Sequence, residues 1–325
     1  MKTRRALAGA LILCTISGPL AAALPGVDGA ERAVQQVGDD LTRGRELMGE
    51  GRFEEALTHF RRAAAEDPRS ARAHDLVGQA LYELGRFQEA VPAYRRAVEL
   101  EPEDAGMLDH LGEALYELGR HQEALAALDR AVAADPARFH AHLHRGQVLR
   151  ALGRDGEALA AFRRAVELRP EEAQGHVQLG RLLQRLMRFE DALKSHRRVV
   201  ALEPRNAGAH DRVGQALYEL ARFEEAVTAY ERAVELAPES GAFHDHLGEA
   251  LYELGRHERA LTVLGRAVEL DPGNAYAHGH RGQVLYALER YGEALAAFET
   301  ALRLSPDSAH FQECRRRTLE RLGRD

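Results

Sequence analysis

Apolar residues recur along this chain in short stripes at helical spacing, separated by polar faces and brief breaks. Residues 71–104 show the unit. Leu76, Val77, Ala80, Leu81 and Leu84 mark one face of a first helix that stops near Gly85-Arg86. Ala90, Val91, Tyr94, Ala97 and Val98 mark a second helix from about Gln88 to Leu100. Glu101-Pro102 ends it, because the residue before a proline is pushed out of the helical region. Pro68, Pro102, Pro136, Pro170, Pro204, Pro238, Pro272 and Pro306 then recur at intervals of 34. Gly44, Gly78, Gly112, Gly146, Gly180, Gly214, Gly248 and Gly282 keep the same phase, as do Ala56, Ala90, Ala124, Ala158, Ala192, Ala226, Ala260 and Ala294. Three residue types locked to one period define eight tandem units: 37–70, 71–104, 105–138, 139–172, 173–206, 207–240, 241–274 and 275–308. Positions 1 to 34 below refer to this register. The glycine at position 8 and the alanine at position 20 are the small residues that let two antiparallel helices approach closely.

The segment "VGQALYELGRFQEAVPAYRRAVELEP" (77–102) resembles the tetratricopeptide repeat (TPR) family in its Gly, Tyr, Ala, aromatic, Ala and Pro marks. The resemblance implies an all-α fold: a right-handed solenoid of about 16 antiparallel helices whose first helices line a concave groove. It also implies binding of other proteins. The departures are local. Histidine (His74, His142, His176, His210, His244, His278) replaces the family's first-helix aromatic at position 4. These rings are expected to pack against the neighbouring hairpin. Met187, Ala221 and Glu289 stand where the turn glycine is expected, and Arg43, Arg145 and Arg281 replace the leucine of position 7. Pro92 falls inside a second helix and should kink it.

A longer symmetry overlies the short one. "DHLGEALYELGRH" occurs at 109–121 and again at 245–257, four repeats apart, so a four-repeat block is present twice. Residues 309–325 read as one more helix capping the last hairpin, and 24–36 as a lead-in whose "ERAVQQV" is a candidate extension of the first helix.

At the amino terminus Lys2, Arg4 and Arg5 precede an apolar run and then Ala21, Ala22 and Ala23, the pattern of a secretory signal cleaved after Ala23. The expected destination is the periplasm or the exterior; an uncleaved anchor is the alternative. Loss of residues 1–23 would take three basic charges and no acidic one, moving the net charge from −7 to −10. That balance argues against nucleic acid as a partner. Beyond the leader no run is long and apolar enough to span a bilayer. Cys314 would be the one cysteine left, so no internal disulfide is expected.

Nothing in the sequence outside the repeats has room for a catalytic domain, and no phosphate loop, dinucleotide fingerprint, nucleophile elbow or zinc spacing occurs. No enzyme activity, cofactor or metal is expected. The 16 histidines are the one tempting feature. His140 and His144, at i and i+4, share a helical face, but a usable metal site needs three or four converging ligands. A metal- or pH-responsive role for the histidine-rich belt of repeats 3–4 and 7–8 therefore stays an alternative.

Positions 2, 5, 9 and 12 share one face of the first helix, and by resemblance that face lines the groove. It carries Asp75, Gln79 and Tyr82, then Asp109, Glu113 and Tyr116. The second block offers Asp211, Gln215 and Tyr218, then Asp245, Glu249 and Tyr252, with Tyr286 in repeat 8. Repeats 4 and 5 instead present His140, His144, Gln147 and Arg150, then Gln174, Arg181, Gln184 and Arg185. The expected arrangement is two acidic, tyrosine-lined lobes around a basic belt, gripping peptide or helix segments of partner proteins, basic ones included. End-to-end or side-by-side self-association is the alternative use.

Overall fold

The computed structural model describes residues 27–323, with side chains from residue 35 onward. The leader and its cleavage site lie outside the described residues. Among the described residues there are seventeen α-helices and no strands. The helices are α1 (Val27–Gly49) and α2 (Phe53–Glu66) in repeat 1, then α3 (Ala71–Glu83) and α4 (Phe87–Leu100), and α5 (Ala105–Glu117) and α6 (His121–Ala134). Next come α7 (Phe139–Ala151) and α8 (Asp155–Leu168), α9 (Ala173–Arg185) and α10 (Phe189–Leu202), and α11 (Ala207–Glu219) and α12 (Phe223–Leu236). The series ends with α13 (Gly241–Glu253) and α14 (His257–Leu270), α15 (Ala275–Ala287) and α16 (Tyr291–Leu304), and the cap α17 (Ala309–Arg321). The lead-in does extend the first helix, since α1 starts at Val27.

Each helix packs on its chain neighbours, and α3, α5, α7 and α9 also touch in succession, as do α11, α13, α15 and α17. The first helices thus form two contacting series, α3 to α9 and α11 to α17. Inside each hairpin the position-8 glycine lies against the side chain at position 24. A Cβ added at Gly78 would come within 2.5 Å of the Tyr94 ring, and one at Gly146 within 2.5 Å of Phe162. Position 20 is alanine with no exposed surface in every repeat. Position 24 is filled by Phe60, Tyr94, Leu128, Phe162, His196, Tyr230, Leu264 and Phe298, all buried.

Turn chemistry recurs with the same period. Ser70, Asp104, Asn206, Asn274 and Ser308 cap the following first helix through their side chains. At position 15 the chain turns with positive φ at Gly51, Gly85, Gly119, Gly153 and Gly255, and equally at Met187 (56°), Ala221 (55°) and Glu289 (58°). The three substitutions leave the turn in place and carry its strain, about 1–2 kcal/mol each for a residue with a Cβ. Helix α4 runs unbroken through Pro92. Pro92 and Gln88, whose carbonyl loses its N–H partner, are both exposed residues, so the missing bond lies on the solvent side of the helix.

The position-4 histidines carry a hydrogen bond that the sequence pattern does not announce. His74, His142, His176, His210 and His278 bond through Nε2 to the carbonyl of the turn proline six residues earlier, at 3.0–3.1 Å, and His142, His176 and His278 are buried. Gln312 reaches the Pro306 carbonyl in the same way at 2.9 Å. His244 bonds the Ser240 carbonyl through Nδ1 instead. The proline and the histidine are thus two ends of one tether that ties each turn to the first helix after it.

Two stability outcomes follow from this backbone. Pro92→Ala should raise the urea midpoint, since it restores a helical hydrogen bond at an open site, by up to about 3 kcal/mol. Met187→Gly should stabilise by about 1 kcal/mol, relieving the left-handed turn at a side chain 74% exposed. A fall in midpoint for either would contradict the geometry described.

Candidate functional site: the first-helix face

The four aspartates at position 5 are buried: Asp75, Asp109, Asp211 and Asp245, with Asp109 only 1% exposed. Each is held by the position-6 histidine of the next repeat. His110 Nδ1 lies 2.8 Å from Asp75, His144 2.8 Å from Asp109, His246 2.7 Å from Asp211 and His280 2.8 Å from Asp245. Gln79 and Gln215 donate to the second oxygen of Asp75 and Asp211 from the next turn of the same helix. Arg138 donates to the second oxygen of Asp109 at 3.1 Å. These carboxylates are therefore joints between repeats and are not presented to the groove as free charges.

The outer rung of the same network is accessible. Tyr82 donates its hydroxyl to Glu113 of the next repeat at 3.0 Å, and Tyr218 does the same to Glu249 at 3.1 Å. Glu113 also lies 3.6 Å from His144 Nε2, and Glu249 lies 3.9 Å from His280 Nε2. So Asp109, His144, Glu113 and Tyr82 form one chain of polar contacts, and Asp245, His280, Glu249 and Tyr218 form its copy four repeats on. Tyr82, Tyr116, Tyr218, Tyr252 and Tyr286 are half-buried, and Glu83, Glu117, Glu219 and Glu253 beside them are exposed. Tyr82 and Tyr218 stack edge-on against Phe87 and Phe223.

Electrostatics match this placement. Burial lowers the basicity of His110, His144, His246 and His280, but the bonded aspartate more than offsets it, and all four pKa values are raised. Burial and the neighbouring glutamates raise the Tyr82 and Tyr218 hydroxyls, which stay protonated donors.

The belt residues are placed less uniformly. His140 is exposed, its pKa lowered by burial and by His144, and the two rings are 6.0 Å apart. His144 Nδ1 is bonded to Asp109, and its Nε2 lies 3.6 Å from Glu113. Among the described residues no group of three or more His, Cys, Asp or Glu converges as metal ligands. Gln147 and Arg150 are half-buried, and Gln174, Arg181 and Arg185 are exposed. Arg185 pairs with Asp155, and Gln184 bonds Gln215 at 3.2 Å. Sequence reasoning missed the joint itself. A signal was available: position-5 aspartate and position-6 histidine co-occur at an offset of 35 in four junctions and are absent together at the others.

With fold and face in view, comparison with known proteins defines the class. The tetratricopeptide repeat model TPR_16 matches residues 41–105, 110–173 and 246–309, and the TPR repeat model TPR_11 matches 214–255. These matches cover more than half of the chain, which belongs to the tetratricopeptide repeat family. The comparison with curated proteins returned no match. Among solved structures, YrrB, described as a TPR protein with an unusual peptide-binding site, aligns at 21% identity and TM-score 0.51 over 59% of this chain and 99% of its own. The Cut9–Hcn1 complex of the APC/C aligns at 19% and 0.56, covering 91% of this chain and 57% of that one. MamA from Desulfovibrio magneticus RS-1 aligns at 24% and 0.50 over 53% and 97%. These likenesses concern the fold. TPR proteins generally mediate protein–protein interaction, and among the described residues no helix is long and apolar enough to cross a membrane.

The joints predict a pH signature. A histidine with a raised folded pKa contributes its stability fully below about pH 6.5, its unfolded value, and loses it as pH rises through the folded value. His196 carries the opposite sign: burial, then the Arg212 and Arg181 cations, lower its pKa to about 4. Its contribution is full above about pH 6.5 and is lost as pH falls toward about 4. Asp109→Asn with Asp245→Asn should therefore flatten the alkaline fall in urea midpoint and cost about 2–3 kcal/mol per site near pH 6. An unchanged pH profile would show that these pairs do not couple the repeats.

Proposed function

We propose that the protein is a non-enzymatic interaction scaffold, exported to the cell envelope, that binds extended or helical segments of partner proteins along its first-helix face. One observation carries the reading: tyrosines at position 12 stand half-exposed in a row, held in place from the next repeat by Glu113 and Glu249 at two corresponding points. A tyrosine whose hydroxyl is already anchored offers a flat apolar surface at little entropic cost. The exposed glutamates at position 13 add attraction for basic segments, an effect on encounter rate that salt should weaken. The export half of the proposal rests on the character of residues 1–23 alone.

A second reading is favoured by His144 and His280, each set between an aspartate and a glutamate. Protonation there changes charge beside Tyr82 and Tyr218, so partner affinity would depend on pH between about 6 and 8.

The test combines Tyr82→Ala, Tyr116→Ala, Tyr218→Ala and Tyr252→Ala, with helicity checked by circular dichroism. Binding is read by capture from a cell-envelope extract and by anisotropy of an Arg-rich peptide. The expected outcome is loss of captured partners and at least about a tenfold weaker peptide affinity, with salt sensitivity retained. Unchanged capture and affinity would overturn groove binding.

A further inference from the structure

The junction of repeats 5 and 6 departs from the rest in two ways. The position-5 and position-6 joint is absent, with Val177 in the aspartate row and Arg212 in the histidine row. Position 24 carries His196 where the other seven repeats have Phe, Tyr or Leu.

His196 has no exposed surface, and neither ring nitrogen has a hydrogen-bond partner. Burying an imidazole with both nitrogens unsatisfied is costly. The ring lies against Gly180, where a Cβ would come within 2.5 Å of it, and it borders a cavity of about 150 Å³. Arg181, Arg212 and Gly208 border the same cavity. Among the described residues no carboxylate lines it, and neither arginine makes an ion pair, although the nearby Arg185, Arg188 and Arg197 are paired with Asp155, Asp191 and Glu225. Asp211, adjacent in sequence to Arg212, is occupied by His246 and Gln215. Gly208 sits in the first turn of α11, where the helix dipole is positive; Asn206, which also borders the cavity, caps the Ala209 N–H there. Two unpaired cations, a buried imidazole and a helix start converge on one space that holds no negative charge.

We propose that this cavity is an oxyanion site, in which the Arg181 and Arg212 guanidinium groups and one His196 N–H hold a carboxylate or phosphate group. The register supplies the reason. An anion here would take the place of the aspartate missing at Val177, between the two pairs of aspartate–histidine joints. Guanidinium groups suit that ligand through paired N–H donors, and His196 in its neutral form still has one N–H to donate. The proposal does not depend on the tyrosine row, so its failure would leave the groove result standing.

The experiment titrates the full chain with inorganic phosphate and, separately, with N-acetylglutamate amide, at ionic strength held constant with sodium chloride. The His196 imidazole resonance and the thermal midpoint are followed. A saturable shift of that resonance and a rising midpoint are expected with at least one probe. Phosphate alone would indicate a free anion as the natural ligand; the carboxylate, alone or with phosphate, would indicate an acidic side chain of a partner. Arg212→Gln should weaken binding at least about tenfold. His196→Phe keeps the fold, because Phe or Tyr fills that place in five other repeats, and should abolish the response of the midpoint. No saturable shift with either probe, or undiminished affinity in Arg212→Gln or His196→Phe, would overturn the assignment.

Discussion

The close approach of two helices within each hairpin is the constraint on which the rest depends. It exists because position 8 has no side chain. With glycine there, the ring or branched chain at position 24 lies directly on the first helix's backbone, and alanine at position 20 continues the contact. A methyl group at position 8 would have to displace that side chain, an overpacking cost of about 1–3 kcal/mol per hairpin. Because each hairpin touches little beyond its neighbours, the stability of the whole is close to a sum of hairpin and junction contributions. Any junction can then be weaker than the others without loss of the fold.

Junctions differ in how they are joined. Four of them add a buried aspartate–histidine pair to apolar packing, and two of those extend the pair through a glutamate to a tyrosine on the accessible face. Removing one partner of a buried pair costs far more than the pair itself gains, because the other charge is left unpaired. The pairs therefore act more on the angle between repeats than on net stability: a rotated neighbour would strand a carboxylate. The same histidines set their Nε2 3.6 and 3.9 Å from the Glu113 and Glu249 carboxylates that the tyrosine hydroxyls meet. Repeat geometry and binding surface are set by one network.

Most of the architecture was legible in the amino-acid sequence because it depends on local properties. The period, the helix ends, the close-packing role of Gly78 and its equivalents and the cap at 309–321 are statements about residues a few positions apart. The fate of Asp75, Asp109, Asp211 and Asp245 was not legible in the same way. Helical spacing puts them on one stripe with Gln79 and Tyr82, but it does not say how far the next repeat rotates over that stripe. In the structure it covers position 5 and leaves position 12 half-open. The hydrogen bond of the position-4 histidines was not legible for a related reason: their partner is the backbone of their own turn, and a carbonyl leaves no mark in the sequence. His196 was visible all along as the one imidazole in a row of Phe, Tyr and Leu, yet its meaning needed the unpaired Arg181 and Arg212 beside it.

The two four-repeat blocks carry near-identical joints, so the differences between them mark where each copy has been free to change. Arg138 reinforces Asp109 in the first block, while Asn274 in the matching place of the second caps α15 and leaves Asp245 to His280 alone. At the seam the charge pattern is inverted: Arg181 stands at the position of Glu113 and Glu249, and Arg212 at that of the joint histidines. A solenoid with a uniform series of joints bends as one spring. Here the series of aspartate–histidine joints is interrupted between repeats 5 and 6, where a cavity lined by Arg181, Arg212 and His196 stands instead. Tyr82 and Tyr116 lie before that interruption and Tyr218, Tyr252 and Tyr286 after it, so each four-repeat block brings its own half-buried tyrosines to the first-helix face.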